Sequence, residues 1–264
     1  MALTFPSAPP PALREFGYWM HRYRRVWRGT VVVSVVNPLL FLAAMGVGLG
    51  KLVDHGGSGY LHGASYLTFF APGLLAAAAM QNAFVDSAGP AFQSARKRGN
   101  YRAAAATPMR PADVFAGHLL FMAFRIAISA LAFVIVIVAT GAVPWRHSPL
   151  LLPAALLTGL AFAAPIAAWA ITVTQFARIN GVFRFVLMPL YMFSGTFYST
   201  EQLPGWLRSV IECTPLYHGI QLCRELALGT ATPAATGVHI GYLVAMTTAG
   251  FLLGRRTYTR YLHS

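Results

Sequence analysis

QSARKRGNYRAAAATPMRPADVFAG, residues 93–117, separates two long apolar runs and carries Arg96, Lys97, Arg98, Arg102 and Arg110. Only 10% of the chain's residues are charged, so five cations in one short stretch set its side of a membrane. Loops rich in Lys and Arg stay on the cytosolic face, which places this bend inside the cell. The loop is too short to be a domain, and its Arg-rich helical start leads through Thr107-Pro108 into the next run. It reads as a contact element; a loop that only sets topology is the alternative.

Working outward, the 264 residues would suit one or two soluble domains by length alone. Composition overrides that: 56% are hydrophobic, in runs near the ~20 residues that cross a bilayer core. The expected fold is an all-α polytopic membrane protein, a single transmembrane unit over residues 1–264. Six transmembrane helices are expected near 31–49, 66–90, 114–140, 150–174, 182–198 and 235–254, with 93–113 joining the second and third.

The net charge of +13 would point a soluble chain to nucleic acid. Here its distribution follows topology. Arg14, Arg22, Arg24, Arg25 and Arg28, the five cations of the quoted stretch, Arg178, Arg184, Arg255, Arg256 and Arg260 make fifteen of twenty basic residues on one side. Lys51, Arg146, Arg208 and Arg224 fall in the alternate loops, and Arg125 lies inside a run. Both termini in the cytosol satisfy this split, and the mirror topology inverts it. No nucleic-acid partner is expected.

Before the first span, prolines 6, 9, 10 and 11 predict a disordered tail over 1–12. Leu13, Phe16, Met20, Tyr23 and Trp27 then recur every three or four residues, predicting an amphipathic helix over 13–28. Its arginines suit anionic lipid at the membrane interface, or the helix packs on a partner. No removable leader is expected. The end of the first span, GVGLGK, lacks the spacing and the following Ser or Thr of a phosphate loop. Gly46/Gly50, Gly237/Gly241 and Gly250/Gly254 are instead close-packing faces, and 51–64 is a short outer loop.

Asp86 and Arg125 bring charge into the spans. Arg125 comes about four turns, roughly 18 Å, into the third span, so it either pairs with a neighbour, Asp86 first, or snorkels to the cytosolic face. Residues 175–181 read as an inner loop, and Pro189 interrupts the fifth span. Residues 199–230 are mostly apolar but broken at Pro204-Gly205 and Thr214-Pro215, which predicts an outer re-entrant helical hairpin between helices five and six. Cys213 and Cys223 there are a bridge or, alternatively, packed thiols. Phe69, Phe70, Tyr191, Phe193 and Phe197 near the outer ends are either a path for an amphiphile or an interfacial belt.

Catalytic motifs are missing: the eight histidines are scattered, and neither HExxH nor GxSxG occurs. A lipid-modifying membrane enzyme would have to use Asp86, or His218 with Glu225. A passive channel lacks any filter motif. With so few intramembrane carboxylates for a proton relay, the energy source lies outside the chain.

The segment YRAAAATPMRPADVFAGHL resembles the loop after the second span of ABC-2 type transport permeases, through Tyr101, Thr107, Pro108, Asp113 and Gly117 in order. The outer segment is similar to that family's signature before the last helix, through Ser194-Gly195, Gln202-Leu203-Pro204, Trp206, Pro215-Leu216, His218, Arg224 and Gly229. Its nearest branch looks like the nodulation-type lipo-oligosaccharide exporters, with antibiotic-efflux permeases nearby. One departure is His118, where relatives often carry Glu. The resemblance implies a permease of the bacterial cytoplasmic membrane that pairs with a second permease chain and with two cytosolic ATPase subunits. ATP and Mg would bind those partners, and no cofactor this chain. Arg96, Lys97, Arg98, Tyr101, Thr107 and Pro108 are then the candidates for ATPase coupling, beside the N-terminal interfacial helix. Pro204, Trp206, Pro215, His218 and Arg224 form the outer motif.

Overall fold

The computed structural model describes residues 9–32, 36–49 and 65–263, and every regular element among them is helical. In order come α1 (Pro11–Val31), α2 (Asn37–Ala43) with a π-helical turn (Ala44–Leu49), α3 (Tyr66–Gln93) with a π-helical turn (Ser94–Arg98), and α4 (Asn100–Ala105). They are followed by α5 (Pro111–Ala139), α6 (Ser148–Ala170), α7 (Phe176–Val182), a π-helical turn (Phe183–Leu187) and α8 (Met188–Phe193). Last are α9 (Gly205–Glu212), α10 (Pro215–Leu228) and α11 (Pro233–His263).

Local chemistry sets these ends. Ser65 accepts from the Thr68 amide at the start of α3 (3.3 Å), and Thr214 from that of Tyr217 at the start of α10 (3.4 Å). Pro111 and Pro215 sit in first turns, where a missing N–H removes no helical bond. Among the described residues, four helices are long and apolar enough to cross a membrane: α3 with its π turn, α5, α6 and α11.

α3 is the axis. It packs on α5, α6 and α10, α11 packs on α5, α6 and α10, and α1 lies along α5. The Ala76–Ala79 run admits its neighbours closely, while Phe70, Leu75 and Met80 are fully buried. With its π turn α3 has 33 residues, about 50 Å of helix against a ~30 Å hydrocarbon core. Both α3 and the 29-residue α5 therefore have length to project beyond the bilayer at the basic end, where the quoted stretch lies.

Several expected boundaries move. The fifth helical stretch begins at Phe176, so the expected inner loop 175–181 is largely helix, and it ends at Phe193 rather than 198. Its irregularity precedes Pro189: the π turn over Phe183–Leu187 accommodates the proline's missing N–H and the clash with the preceding turn. The sixth span expected to end at 254 continues as α11 to His263. Gly250 and Gly254 do meet neighbours, Pro165 and Phe115, at distances a Cβ would not allow, whereas Gly237 and Gly241 face nothing within 4 Å. Gly50, the loop 51–64 and residues 1–8 of the expected tail lie outside the described residues.

The interfacial helix is rotated from its expected face. Trp19 and Glu15 are its buried residues, while Leu13 and Trp27 are 46% and 48% exposed. α5 decides this. Gly117 offers no side chain, and Ala12 and Glu15 fill the space its Cβ would take, so the Glu15–Trp19 edge is drawn in. Phe16 and Tyr23, both in the expected stripe, pack edge-on to Phe124 at 6.0 and 6.3 Å.

Candidate functional site

Four elements converge at the basic end. Trp19 of α1 stacks on His118 of α5, ring centroids 4.2 Å apart and 10° from parallel, and its indole N–H donates to Glu15 Oε1 (2.8 Å). Tyr101 of α4 is fully buried and its hydroxyl meets His118 Nδ1 at 2.6 Å. Tyr258 of α11 donates to the Tyr101 hydroxyl at 3.4 Å. One small polar cluster thus ties α1, the loop helix α4 and the long helices α5 and α11 together.

Its electrostatics favour neutral groups. Burial pushes the Glu15 carboxyl up to about 7, against a smaller opposing effect of the Trp19 hydrogen bond. Burial likewise holds the Tyr101 phenol well above its ordinary value, with Tyr258 adding to the shift. Tyr101 therefore stays a hydroxyl that can both accept and donate.

Around this core the expected coupling residues divide. Lys97, Arg98, Arg102, Thr107 and Pro108 are exposed. Arg96, though exposed, donates to the carbonyls of Val173 (3.2 Å) and Thr172 (3.5 Å) past the end of α6, and lies 5.1 Å from the Tyr261 ring centre. Arg102 approaches the same ring at 5.7 Å, and the Tyr261 hydroxyl donates to Ala95 O (3.2 Å). Arg96 is thus a brace between the loop, α6 and α11. Tyr101 is corrected outright: with no exposed surface it cannot touch a partner, and supports the loop from within.

Deeper in the bundle Arg125 (3% exposed) pairs with Asp86, Nε to Oδ2 at 3.3 Å, and its guanidinium lies 4.8 Å from the Tyr23 ring centre. Of the two fates open to it, pairing is the one observed.

At the opposite end α9 leads into α10, and α10 is packed on α3 and α6. Arg224 is 7% exposed and donates to Gly195 O (2.8 Å) and Phe69 O (3.4 Å), with its guanidinium 3.7 Å from the Phe69 ring centre. His218 Nδ1 lies 2.8 Å from His239 Nδ1, and His239 Nε2 lies 3.5 Å from Glu225, so His239 stands between the two residues an enzyme reading would join. Pro204 and Trp206 are exposed, Trp206 to 73%, and Pro215 starts α10. Cys213 and Cys223 are free thiols.

The aromatics expected to form either a path or an interfacial belt differ in burial. Phe70 is fully buried and stacks on Tyr66, centroids 5.5 Å apart, with Phe197 at 5.7 Å and Tyr191 beyond it; Phe69 lies under Arg224. Phe69 and Phe70 are buried in the core, and Tyr191 and Phe197 are half-buried. Phe193, at 45%, is the exposed member.

Glu15, Trp19 and Tyr258 were not among the expected site residues. Glu15 carried a signal, being the single acidic residue between five arginines in 11–31. Tyr258 carried none.

Bilayer-length apolar helices around a buried ion pair, with a basic, aromatic-braced end, define a multi-pass membrane protein. The model of the ABC-2 type transporter family matches residues 18–228, and the chain belongs to that family. Nodulation protein J of Rhizobium meliloti is 29% identical over 255 residues, 92% of this chain and 94% of that protein. Nodulation protein J of Bradyrhizobium diazoefficiens is 26% identical over 261 residues, 96% of each. Inner membrane transport permease YadH of Escherichia coli is 28% identical over 238 residues, 86% and 87%. Family and relatives together indicate a transport permease rather than a catalyst.

Proposed function

We propose that this chain is the membrane-spanning subunit of an ATP-driven exporter in the bacterial cytoplasmic membrane, with both termini in the cytosol. Two such chains, alike or unlike, enclose the path, and two separate ATPase subunits bind ATP and Mg. The cargo is an amphiphile, a glycolipid or lipo-oligosaccharide, a reading supported by similarity to nodulation proteins J; a drug is the alternative cargo.

The observation that carries this reading is the basic loop surface and what stands behind it. Lys97, Arg98 and Arg102 are exposed, while the loop bearing them is joined through Tyr101, His118, Trp19 and Tyr258 to α1, α5 and α11. A push on the loop is therefore delivered to long helices, as rigid-element coupling requires.

Lys97→Glu, Arg98→Glu and Arg102→Glu together test it. The variant should elute as a folded permease yet lose co-purification with its ATPase and the transport that hydrolysis drives. Tight association after this reversal removes the assignment. Arg96 is left unchanged because it also braces α6.

A further inference from the structure

We propose that α11 and the start of α5 form a binding site for the phosphodiester headgroup of an anionic glycerolipid. This goes beyond the transport reading and requires only that α11 crosses a bilayer. Arg255, Arg256, Thr259 and Arg260 of α11, with Leu252 below them and Ala112 of α5 opposite, line a groove of about 460 Å³. The four polar residues follow Leu252 at helical spacing, so they share one face of α11, beside the face that packs Gly254 and Tyr258 against Phe115.

Among the described residues the charge in this groove is uncompensated. None of the ion pairs among the described residues involves its three arginines. The neighbouring carboxylate on α5, Asp113, accepts from the Arg110 amide (3.3 Å), closing the first turn of its own helix. Arg255 has the Phe251 ring at 6.0 Å, a weak contact. Guanidinium forks without a carboxylate around a hollow are suited to phosphate oxygens.

Position selects a lipid over an acidic protein surface. Val238, Val244, Leu252 and Leu253 are 62%, 46%, 51% and 53% exposed along α11, and the three arginines follow at once. The groove thus sits where an apolar outer surface ends. A glycerolipid covers both parts, its phosphate on the arginines and an acyl chain over the leucines; an acidic protein would leave the leucines bare. A zwitterionic choline headgroup brings a fourth cation towards the three arginines, so an anionic lipid is preferred. The family match ends at residue 228, before α11 begins.

The test is native mass spectrometry and thermal melting of the full chain, without any ATPase, in detergent carrying phosphatidylglycerol or phosphatidylcholine. Wild type should retain phosphatidylglycerol at collision energies that strip phosphatidylcholine, and melt higher in its presence. R255Q/R256Q/R260Q, all at exposed positions, should lower that retention about tenfold or more. R146Q/R178Q/R184Q, equal in charge lost and at exposed positions away from the groove, should keep it. Equal retention in the groove variant, equal retention of the two lipids by wild type, or reversal of the melting shift by millimolar inorganic phosphate each overturns the proposal. So does a groove variant that keeps the lipid but fails to bind the ATPase, which makes the groove a protein contact. Because the lipid measurements contain no ATPase, they stand whether or not the coupling assignment does.

Discussion

Arg125 and Arg224 are both nearly buried, 3% and 7% exposed, towards opposite ends of the bundle, yet their charges are met differently. Arg125 has a carboxylate, Asp86, and the face of Tyr23. Arg224 pairs with no carboxylate among the described residues; the Gly195 and Phe69 carbonyls, the Gln221 amide oxygen (3.5 Å) and the Phe69 ring surround it. The difference follows from what the backbone can spare. Midway along α3 and α5 carbonyls are used by the helices, so an acidic side chain must answer a cation there. Beside α10 a turn after α8 leaves the Gly195 carbonyl available, and neutral dipoles suffice.

The contrast is broken most severely by Asp86→Ala. It removes the carboxylate that faces the buried Arg125 guanidinium and should cost about 3–5 kcal/mol, read as a lower melting temperature in detergent. Asp86→Leu with Arg125→Met, which removes both charges, should recover most of that loss. A single variant as stable as wild type, or a double variant no better than the single, shows that the pair is not what neutralises Arg125. Arg224→Ala should cost less, about 1–3 kcal/mol, because it strands only neutral carbonyls, and Arg224→Lys should recover part. Equal losses for Arg224→Ala and Asp86→Ala would erase the distinction.

The third effect concerns Glu15, a buried acid. Its carboxyl titrates near 7 in the fold against 4.5 as a free side chain. Between those values the folded state binds more protons than the unfolded, so stability falls as pH rises. The α1–α5 contact should be firmer at pH 5 than at pH 8, with Trp19 fluorescence reporting its loosening. Glu15→Gln should flatten that dependence, and an unchanged pH profile in the variant would show that another group titrates.

Much of the frame could be read before any packing was known. Apolar runs and the distribution of arginines predicted a helical membrane protein, and depth along two spans brought Asp86 and Arg125 together as candidates. The proline breaks at Pro204 and Pro215 mark the starts of α9 and α10. What could not be read was the direction in which side chains turn. An apolar stripe from Leu13 to Trp27 is a sound guess for a helix lying on lipid, but α1 also lies on α5, and the bare backbone at Gly117 drew in Glu15 instead. Tyr101 looked like a loop aromatic open to a partner, and only the arrival of Tyr258 from 157 residues away closes it over.

Sequence alone determined which segments are apolar enough to leave water and where charge is too dense to follow them, because transfer costs belong to each residue and add along the chain. Tertiary structure decided which buried polar groups meet: Arg125 with Asp86, Arg224 with carbonyls, Trp19 with His118. Those choices depend on helix rotation and on a few close approaches, and a distance of 3 Å between residues far apart in the chain is written in no local pattern.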